Sequence, residues 1–587
     1  MFPAFFGAGE LLSFSLSVIF LYFLIAGFVV LRIRPLSKYA VLITLVSMYG
    51  LLGFYHYKST QFFDFAILAD HGLSVLRKGS FFESWTVVKS IFGPADYLRT
   101  AIAMIGMYFC VRRDLQSYTG PIRFALPVAV ISLSGILFFV ASPSDELSSL
   151  SKSALYRALR LETTFQSRYK PRGPASFSLI RKMIPQHGSG DRPNVFFIFV
   201  ESVNARFIEA KAPNGKEYTP FLNSLIPQAM YFERFYAQSI QTGRGHFASL
   251  CSLTPSIYGK EFENFVDRRL NCLPEILQKN GYFTIFSKAN EDINFDNTYS
   301  FTTSHGFKEM NTMSKGCTGE DKDVCWGWGL PDNIFYQRFF KHLSQTHKQG
   351  PVFASLATIS SHMPFNEVPP AERYIYKNPQ SRLEHYSNAL RVSDEYLKTF
   401  FAELKQSPYS KNSIVFVMGD HSFPMGEHSN FQNEIFAFEE NFRTPLLVLD
   451  FRENKKVPAS RVTSAYSQIH LAPTVLDLAG ISAKTAFQGD SLLSAPPEYV
   501  HMVQPYGGVY FTVIKYPYKY MLYDRSQKEY LYDLQSDPQE MTNLLDSWTD
   551  VNLLEKFRHE VGKVWSNYDA LSQNKIWPKE ALFFDDP

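Results

Sequence analysis

The 587-residue sequence predicts a multi-pass α-helical membrane region followed by a layered α/β domain that closes with a small antiparallel sheet. Three observations predict this. Long apolar runs without charge fill the first quarter of the chain. From residue 193 onward, strand-like and helix-like patterns alternate, as they do in layered α/β domains. Two of the strand-like runs end abruptly in acidic or imidazole side chains, Glu201-Ser202 in one and Gly419-Asp420-His421 in the other.

Residues 11–31 form an uninterrupted apolar stretch, long enough to cross a hydrocarbon core of about 30 Å. Residues 39–55 and 124–141 form two more, and 100–111 a shorter one that continues a helix from 97. Arg32, Arg34 and Lys38 lie between the first two spans; Arg112, Arg113 and Arg123 lie between the last two. Basic loops stay in the cytoplasm, which places the N-terminus and everything after residue 141 outside. Residues 56–99 read as interfacial helices on the outer face; a fifth span with a reversed N-terminus is the alternative. Residues 1–10 carry no basic side chain, so a cleaved signal peptide is not expected. The chain thus divides into a membrane region at 1–141, a polar, proline-broken linker at 142–192 with an amphipathic helix near 153–163, and an exported domain at 193–587.

A net charge of +3 gives no global argument for nucleic-acid binding. Cys110 falls in a span, whereas Cys251, Cys272, Cys317 and Cys325 lie in the exported domain. An even number of cysteines outside the cytosol points to disulfides. Of the possible pairings the local ones, Cys251–Cys272 and Cys317–Cys325, are favoured, and a zinc knuckle lacks the C-x-x-C spacing it needs. Within the domain, strands are expected at 194–200, 282–286, 352–358, 413–417 and 445–449. Helices are expected at 272–280, 332–343, 384–405 and 469–478. The aromatic, β-rich tail at 499–544 is expected to form the small sheet.

Open α/β sheets bind ligands at the carboxyl ends of their strands. Glu201, Asp420 and His421 stand at such ends and suggest a metal site assembled from distant parts of the chain. Thr242 precedes a glycine-rich turn, Gly243-Arg244-Gly245-His246, that opens a helical pattern. Its hydroxyl would sit at a helix N-terminus, where backbone N–H groups can hold an anion and a metal can activate a weak nucleophile. The bland reading of Thr242 is an N-cap. His362, in Ser360-Ser361-His362-Met363-Pro364, follows a strand and is placed to donate to a phosphate oxygen or protonate a leaving group. His246 and His428 are candidates for substrate contact, weighed against purely structural roles.

Taken in order, the strand ending in Glu201, the Thr242-Gly-Arg-Gly segment, Ser-His362-Met-Pro-Phe and Gly-Asp420-His421 resemble the alkaline phosphatase/sulfatase superfamily. Within it the chain is similar to the membrane-bound lipoteichoic acid synthase and phosphoglycerol transferase branch. Trp328-Gly-Leu-Pro-Asp332, Asn441-Phe-Arg-Thr-Pro-Leu446 and Gln468-Ile-His-Leu-Ala-Pro-Thr474 agree, with His470 where an Asp is usual. The resemblance covers about 193–544. It implies a sulfatase-like domain with a central mixed sheet and a small C-terminal antiparallel sheet. It implies that Glu201, Thr242, Asp420 and His421 ligate one divalent ion, with Mn²⁺ or Mg²⁺ favoured and Zn²⁺ possible. Thr242 would be the covalent nucleophile and His362 a catalytic neighbour of the headgroup. Arg244, His246, Trp328, Asp332 and His428 would line the substrate cleft.

The implied activity is transfer of a phospholipid headgroup, phosphoglycerol from phosphatidylglycerol, onto a glycan or glycolipid. It would take place at the cytoplasmic (inner) membrane, with the catalytic domain on the periplasmic or extracellular side. Phosphoethanolamine transfer and a sulfatase-like phosphodiesterase or sulfuric ester hydrolase are the alternatives. The Cys/Ser-x-Pro-x-Arg signature of sulfatases is missing, because Cys251-Ser-Leu-Thr-Pro255 has the wrong spacing.

Overall fold

The computed structural model describes residues 180–577, apart from 189, 348, 431, 432, 434, 435, 507, 508 and 525. The expected membrane spans, the interfacial helices, the amphipathic linker helix and Cys110 lie outside the described residues. Among the described residues no helix is long and apolar enough to cross a membrane.

The strands are β1 (Arg181–Met183), β2 (Asn194–Val200), β3 (Met230–Tyr236), β4 (Phe283–Lys288), β5 (Glu309–Asn311), β6 (Val352–Ala357), β7 (Ser413–Gly419), β8 (Arg443–Asp450), β9 (Ser460–Ser467), β10 (Ala483–Thr485), β11 (Val500–Gln504), β12 (Tyr510–Lys515), β13 (Tyr518–Tyr523) and β14 (Lys528–Asp533). Eight of them form a central sheet in the order β5-β4-β6-β2-β7-β8-β3-β9. β8 runs antiparallel to both its neighbours, and every other pair is parallel. β2, β6 and β7 are buried along their whole length. Strands covered on both faces read as continuous apolar runs, which is why these three are plain in the sequence.

Helices cover the sheet. Four matter for the site or its support: α1 (Thr242–Cys251), α2 (Asp332–Thr346), α3 (Arg382–Gln406) and α4 (Leu471–Ala479). Ser381 and Glu384 form a capping box that starts α3. Phe400 of α3 packs edge-on against Phe196 of β2 and Tyr336 of α2, tying both helices to the strand that carries Glu201. β11–β14 form the small antiparallel sheet, covered by α5 (Val551–Ser572), where Phe557 stacks on Tyr520.

The disulfides are Cys251–Cys272 and Cys317–Cys325. β1 falls inside the segment read as linker, where it pairs with β10. Three central strands escaped the sequence reading. β3 carries a bulge between Phe232 and Phe235, which sets Glu233-Arg234 into an otherwise apolar run. β9 is an edge strand, exposed over its first half, and β5 is only three residues long.

Candidate metal centre and nucleophile

Glu201 follows the last residue of β2, and Asp420-His421 follow the last residue of β7. The two strands are parallel neighbours paired through Val200↔Gly419, so the three side chains must emerge together at one sheet edge. One ligand atom from each of the three lies within 4.8 Å of the others. His421 Nε2 stands 3.6 Å from both Glu201 Oε1 and Asp420 Oδ2. All three side chains are buried. Burial first, and then the Glu201 charge, push the Asp420 carboxyl up to about 6. Two carboxylates held this close and this dry call for a cation.

The surrounding groups fix the ligands. Asp420 Oδ1 accepts from the N–H of Ser202 at 2.9 Å and of His421 at 2.7 Å. Ser202 Oγ donates to Glu201 Oε1 at 2.6 Å. His421 Nδ1 donates to the carbonyl of Ser422 at 2.8 Å, which leaves the Nε2 lone pair facing the carboxylates. The set of two carboxylates, one imidazole and one hydroxyl fits a divalent cation of the Mn²⁺ or Mg²⁺ kind and also admits Zn²⁺.

Thr242 is the first residue of α1, and its hydroxyl lies 3.4 Å from Glu201 Oε2. The helix can come this close because a Cβ on Gly245 would meet the Asp420 carbonyl oxygen at 2.2 Å. Gln468 Nε2 donates to that same carbonyl at 2.7 Å and, through Oε1, accepts from the Gln238 N–H at 3.0 Å. The end of β7 is thereby tied to the segment leading into α1.

His362 sits on the turn after β6, its ring 4.6 Å from that of Trp328. Trp328 in turn meets Phe295 edge-on, so the three rings form one wall. Burial lowers the His362 ring to about 4, with Met363 O opposing and the His421 and Asp420 charges close enough to act. Its Nδ1 donates to Met363 O at 2.7 Å. The ring is therefore neutral with Nε2 as an acceptor, which suits a hydroxyl partner better than the expected proton donor.

Four expected cleft residues are used elsewhere. Arg244 is 1% exposed and turns into the protein, where Nη1 donates to Glu261 Oε1 at 3.0 Å and the guanidinium also caps the Ser256 and Gly259 carbonyls. His246 is buried among Phe199, Phe262 and Phe286, and burial lowers it to about 4. Asp332 is 1% exposed, its carboxylate taken up by the Ile359 and Ser360 N–H groups. His428 stacks on Phe438, with Nδ1 2.9 Å from Glu440 and Nε2 2.6 Å from Gln539 O. One residue was missed: Lys288, at the carboxyl end of β4, is buried near His246 and reaches the Phe295 carbonyl at 3.4 Å. The signal was available, because a Lys closes this apolar strand much as Glu201 directly follows β2.

The sulfatase family model matches residues 193–481. This part of the chain is a sulfatase-family domain. A second model, described as N-sulphoglucosamine sulphohydrolase, C-terminal, matches residues 426–567. Lipoteichoic acid synthase 1 of Bacillus subtilis is 30% identical over 318 residues, which cover 51% of this chain and 47% of that protein. The lipoteichoic acid synthase-like YvgJ of the same organism is 27% identical over 320 residues, covering 51% and 50% respectively. The chain thus spans about half the length of the curated relatives it matches. A crystal structure of an alkaline phosphatase superfamily protein from Vibrio parahaemolyticus superposes with a TM-score of 0.56 at 22% identity, covering 72% of this chain and 96% of that one. The lipoteichoic acid synthase LtaP of Listeria monocytogenes gives the same TM-score, 0.56, at 22% identity, covering 66% and 94%. These two likenesses establish the fold of the sulfatase-family domain, with its central mixed sheet and small antiparallel sheet.

Proposed function

We propose that this chain is a membrane-anchored, metal-dependent phosphotransferase. It takes a phospholipid headgroup, phosphoglycerol from phosphatidylglycerol, and passes it through a phospho-threonine on Thr242 to a hydroxyl of a glycan or glycolipid. The observation that carries the reading is the convergence of the Thr242 hydroxyl, at the start of α1, on Glu201 beside Asp420 and His421. The lipoteichoic acid synthase relatives support the donor class.

Glu201, Thr242, Asp420 and His421 would hold the ion. Bound there, a divalent cation lowers the pKa of a coordinated hydroxyl and draws charge from phosphoryl oxygens. Thr242 Oγ1 attacks phosphorus and gives its proton to water; the new O–P bond forms as the bond to diacylglycerol breaks, and the diacylglycerol oxygen takes up a proton from water. The α1 backbone N–H groups face the phosphoryl oxygens during the exchange. An acceptor hydroxyl then attacks from the open side; its bond to phosphorus forms as the Thr242 O–P bond breaks, and its proton passes through water to Thr242 Oγ1. His362 Nε2 accepts a hydroxyl hydrogen bond from the headgroup or the acceptor, and Trp328 walls that side of the cleft. Anchoring of the N-terminal region would hold the cleft at its lipid donor.

Both matched models carry sulfatase names, but the Cys/Ser-x-Pro-x-Arg signature is missing and a threonine, Thr242, approaches Glu201, which does not favour sulfate-ester hydrolysis. Thr242→Ala is expected to lower diacylglycerol release from labelled phosphatidylglycerol by more than about 10³-fold while folding persists. Release near the normal rate would remove Thr242 as nucleophile. Labelled phosphatidylethanolamine in a parallel arm reads the alternative donor.

A further inference from the structure

Asp332 is the first residue of α2 and is 1% exposed, so it does not reach a substrate. Its position is informative for another reason. Oδ1 accepts the Ile359 N–H at 2.9 Å and the Ser360 N–H at 3.2 Å. The Asp332 N–H in turn donates to Ser360 Oγ at 3.0 Å. The start of α2 and the turn after β6 therefore clasp each other in both directions.

That turn does two things. It ends in His362, two residues past the clasp. It also grips the backbone of Glu201 at both ends: Thr358 Oγ1 accepts the Glu201 N–H at 3.0 Å, and Ser361 Oγ donates to the Glu201 carbonyl at 2.6 Å. A third element closes the ring. Ser393 Oγ, from the middle of α3, stands 3.1 Å from Ser361 Oγ and 3.4 Å from Asp332 Oδ2. Ser361 already spends its one O–H on the Glu201 carbonyl, so Ser393 shares its own between these two acceptors.

We propose that Asp332 is a positioning residue that, through Ser360, Ser361 and Ser393, sets both the backbone of the metal ligand Glu201 and the turn presenting His362. The inference rests on reading Glu201 as a metal ligand. A buried carboxylate suits the task because it accepts several N–H and O–H bonds at once, and an amide in its place has one oxygen for the same donors. Groups that orient a ligand commonly cost 10–100-fold in metal affinity when removed.

The test uses the purified full-length chain in detergent, with Mn²⁺ affinity from a titration isotherm and kcat and KM from diacylglycerol release. Asp332→Asn and Ser361→Ala are each expected to weaken Mn²⁺ binding about 10-fold. Both lower kcat and leave KM for the lipid within about two-fold. Ser361→Thr, which keeps the hydroxyl, restores Mn²⁺ binding. The double variant Asp332→Asn/Ser361→Ala loses less affinity than the two single losses combined, because one path carries both. If Asp332→Asn fails to fold, Ser361→Ala against Ser361→Thr, with Ser393→Ala, carries the same comparison.

Unchanged Mn²⁺ affinity and kcat in Asp332→Asn, with only a lowered melting temperature, would overturn the proposal, as would full additivity. A wild-type chain that releases no diacylglycerol, but whose variants still lose Mn²⁺ affinity, would refute the phosphotransfer reading and keep the relay. A wild-type chain that binds no divalent cation would refute both.

Discussion

A single hydrogen on Gly245 decides how near the nucleophile helix comes to the metal ligands. A Cβ there would lie 2.2 Å from the Asp420 carbonyl oxygen and 3.0 Å from Gln468 Nε2, and neither can move without disturbing the end of β7. Gly245→Ala is therefore expected to push α1 away from Glu201, stretching a Thr242–Glu201 approach that now stands at 3.4 Å. Overpacking of this kind costs roughly 1–3 kcal/mol of stability. A displacement on the order of 1 Å at the nucleophile costs about 10²-fold in turnover. Melting temperature and diacylglycerol release measured on one preparation check both figures; normal release would show that α1 tolerates the shift. The same residue marks where sequence reading succeeds and fails. Glu201, Asp420 and His421 were legible because each ends an apolar run, and two parallel neighbours must present their ends together. Arg244 and His246 were not legible. A helix-opening Thr-Gly-Arg-Gly-His reads alike whether Arg244 faces the cleft or turns to Glu261, and that choice is made by a partner seventeen positions away. Asp332 was singled out from the right motif and given the wrong role, because a buried acceptor and a cleft acceptor look the same in one dimension.

Elements were legible where burial made their pattern uniform. β2, β6 and β7 sit at the centre of the sheet and show it in their composition; β3, β5 and β9 are bulged, short or at the edge, and their patterns are broken by the geometry that defines them. α3 announced itself through its length and its Ser381/Glu384 capping box. α1 is held at its far end by a covalent link: Cys251, its last residue, is bonded to Cys272, the N-cap of the helix Leu273–Lys279. Both cysteines are 1% exposed. Closing a loop of 21 residues restricts the unfolded chain by about 3 kcal/mol on the loop-entropy account. The pair Cys251→Ala/Cys272→Ala is expected to lose about that much, read as a lower denaturant midpoint, with a steeper slope because the unlinked chain exposes more surface when unfolded. Turnover of the folded fraction should fall little, because the bond anchors the helix end opposite to Thr242. A midpoint equal to that of the intact protein would show that packing around the two sulfur positions alone holds the helix.

At the scale of the whole molecule, the small sheet is fastened to the central one by buried charge. Lys519 of β13 lies 3.3 Å from Glu439 and 2.8 Å from Glu540, while Glu540 also accepts the Glu439 N–H at 2.6 Å. Burial pushes the Glu540 carboxyl up from 4.5 to about 7, against the pull of Lys519 and with repulsion from Glu439 and Glu440 added. Because the folded value is raised, the folded domain keeps a proton that the unfolded chain has released between those two values. The contribution of this group to stability is full below about 4.5 and is lost as pH rises through about 7. The melting temperature should therefore fall between pH 5 and pH 8 by more in the wild type than in Glu540→Gln, and parallel curves would remove Glu540 as the cause. A second fastening lies at the entry to the domain. The sequence suggested a linker through residue 192, since its prolines and polar residues give no periodic signal. The structure puts β1 in that stretch, paired with β10, and follows it with Gln186 and His187, whose N–H groups meet the buried Asp477 at 2.7 and 2.9 Å. His187 Nδ1 adds a third contact at 2.8 Å. Burial alone would raise Asp477; with Ser491, these donors hold it below the usual carboxylate range. A chain begun at residue 193 would leave Asp477 without them, at a cost of roughly 1–3 kcal/mol for each buried acceptor site left unmet. For a domain of about 400 residues, at about 2.1 cal/mol/K of unfolding entropy per residue, each kcal/mol shifts the midpoint by roughly 1 °C. A chain begun at residue 180 should thus melt roughly 2–6 °C above one begun at residue 193. The gap should shrink when both carry Asp477→Asn, because the donors then have a weaker acceptor to serve. Equal melting temperatures for the two starting points would place the domain edge at residue 193 and leave β1 as a dispensable strap.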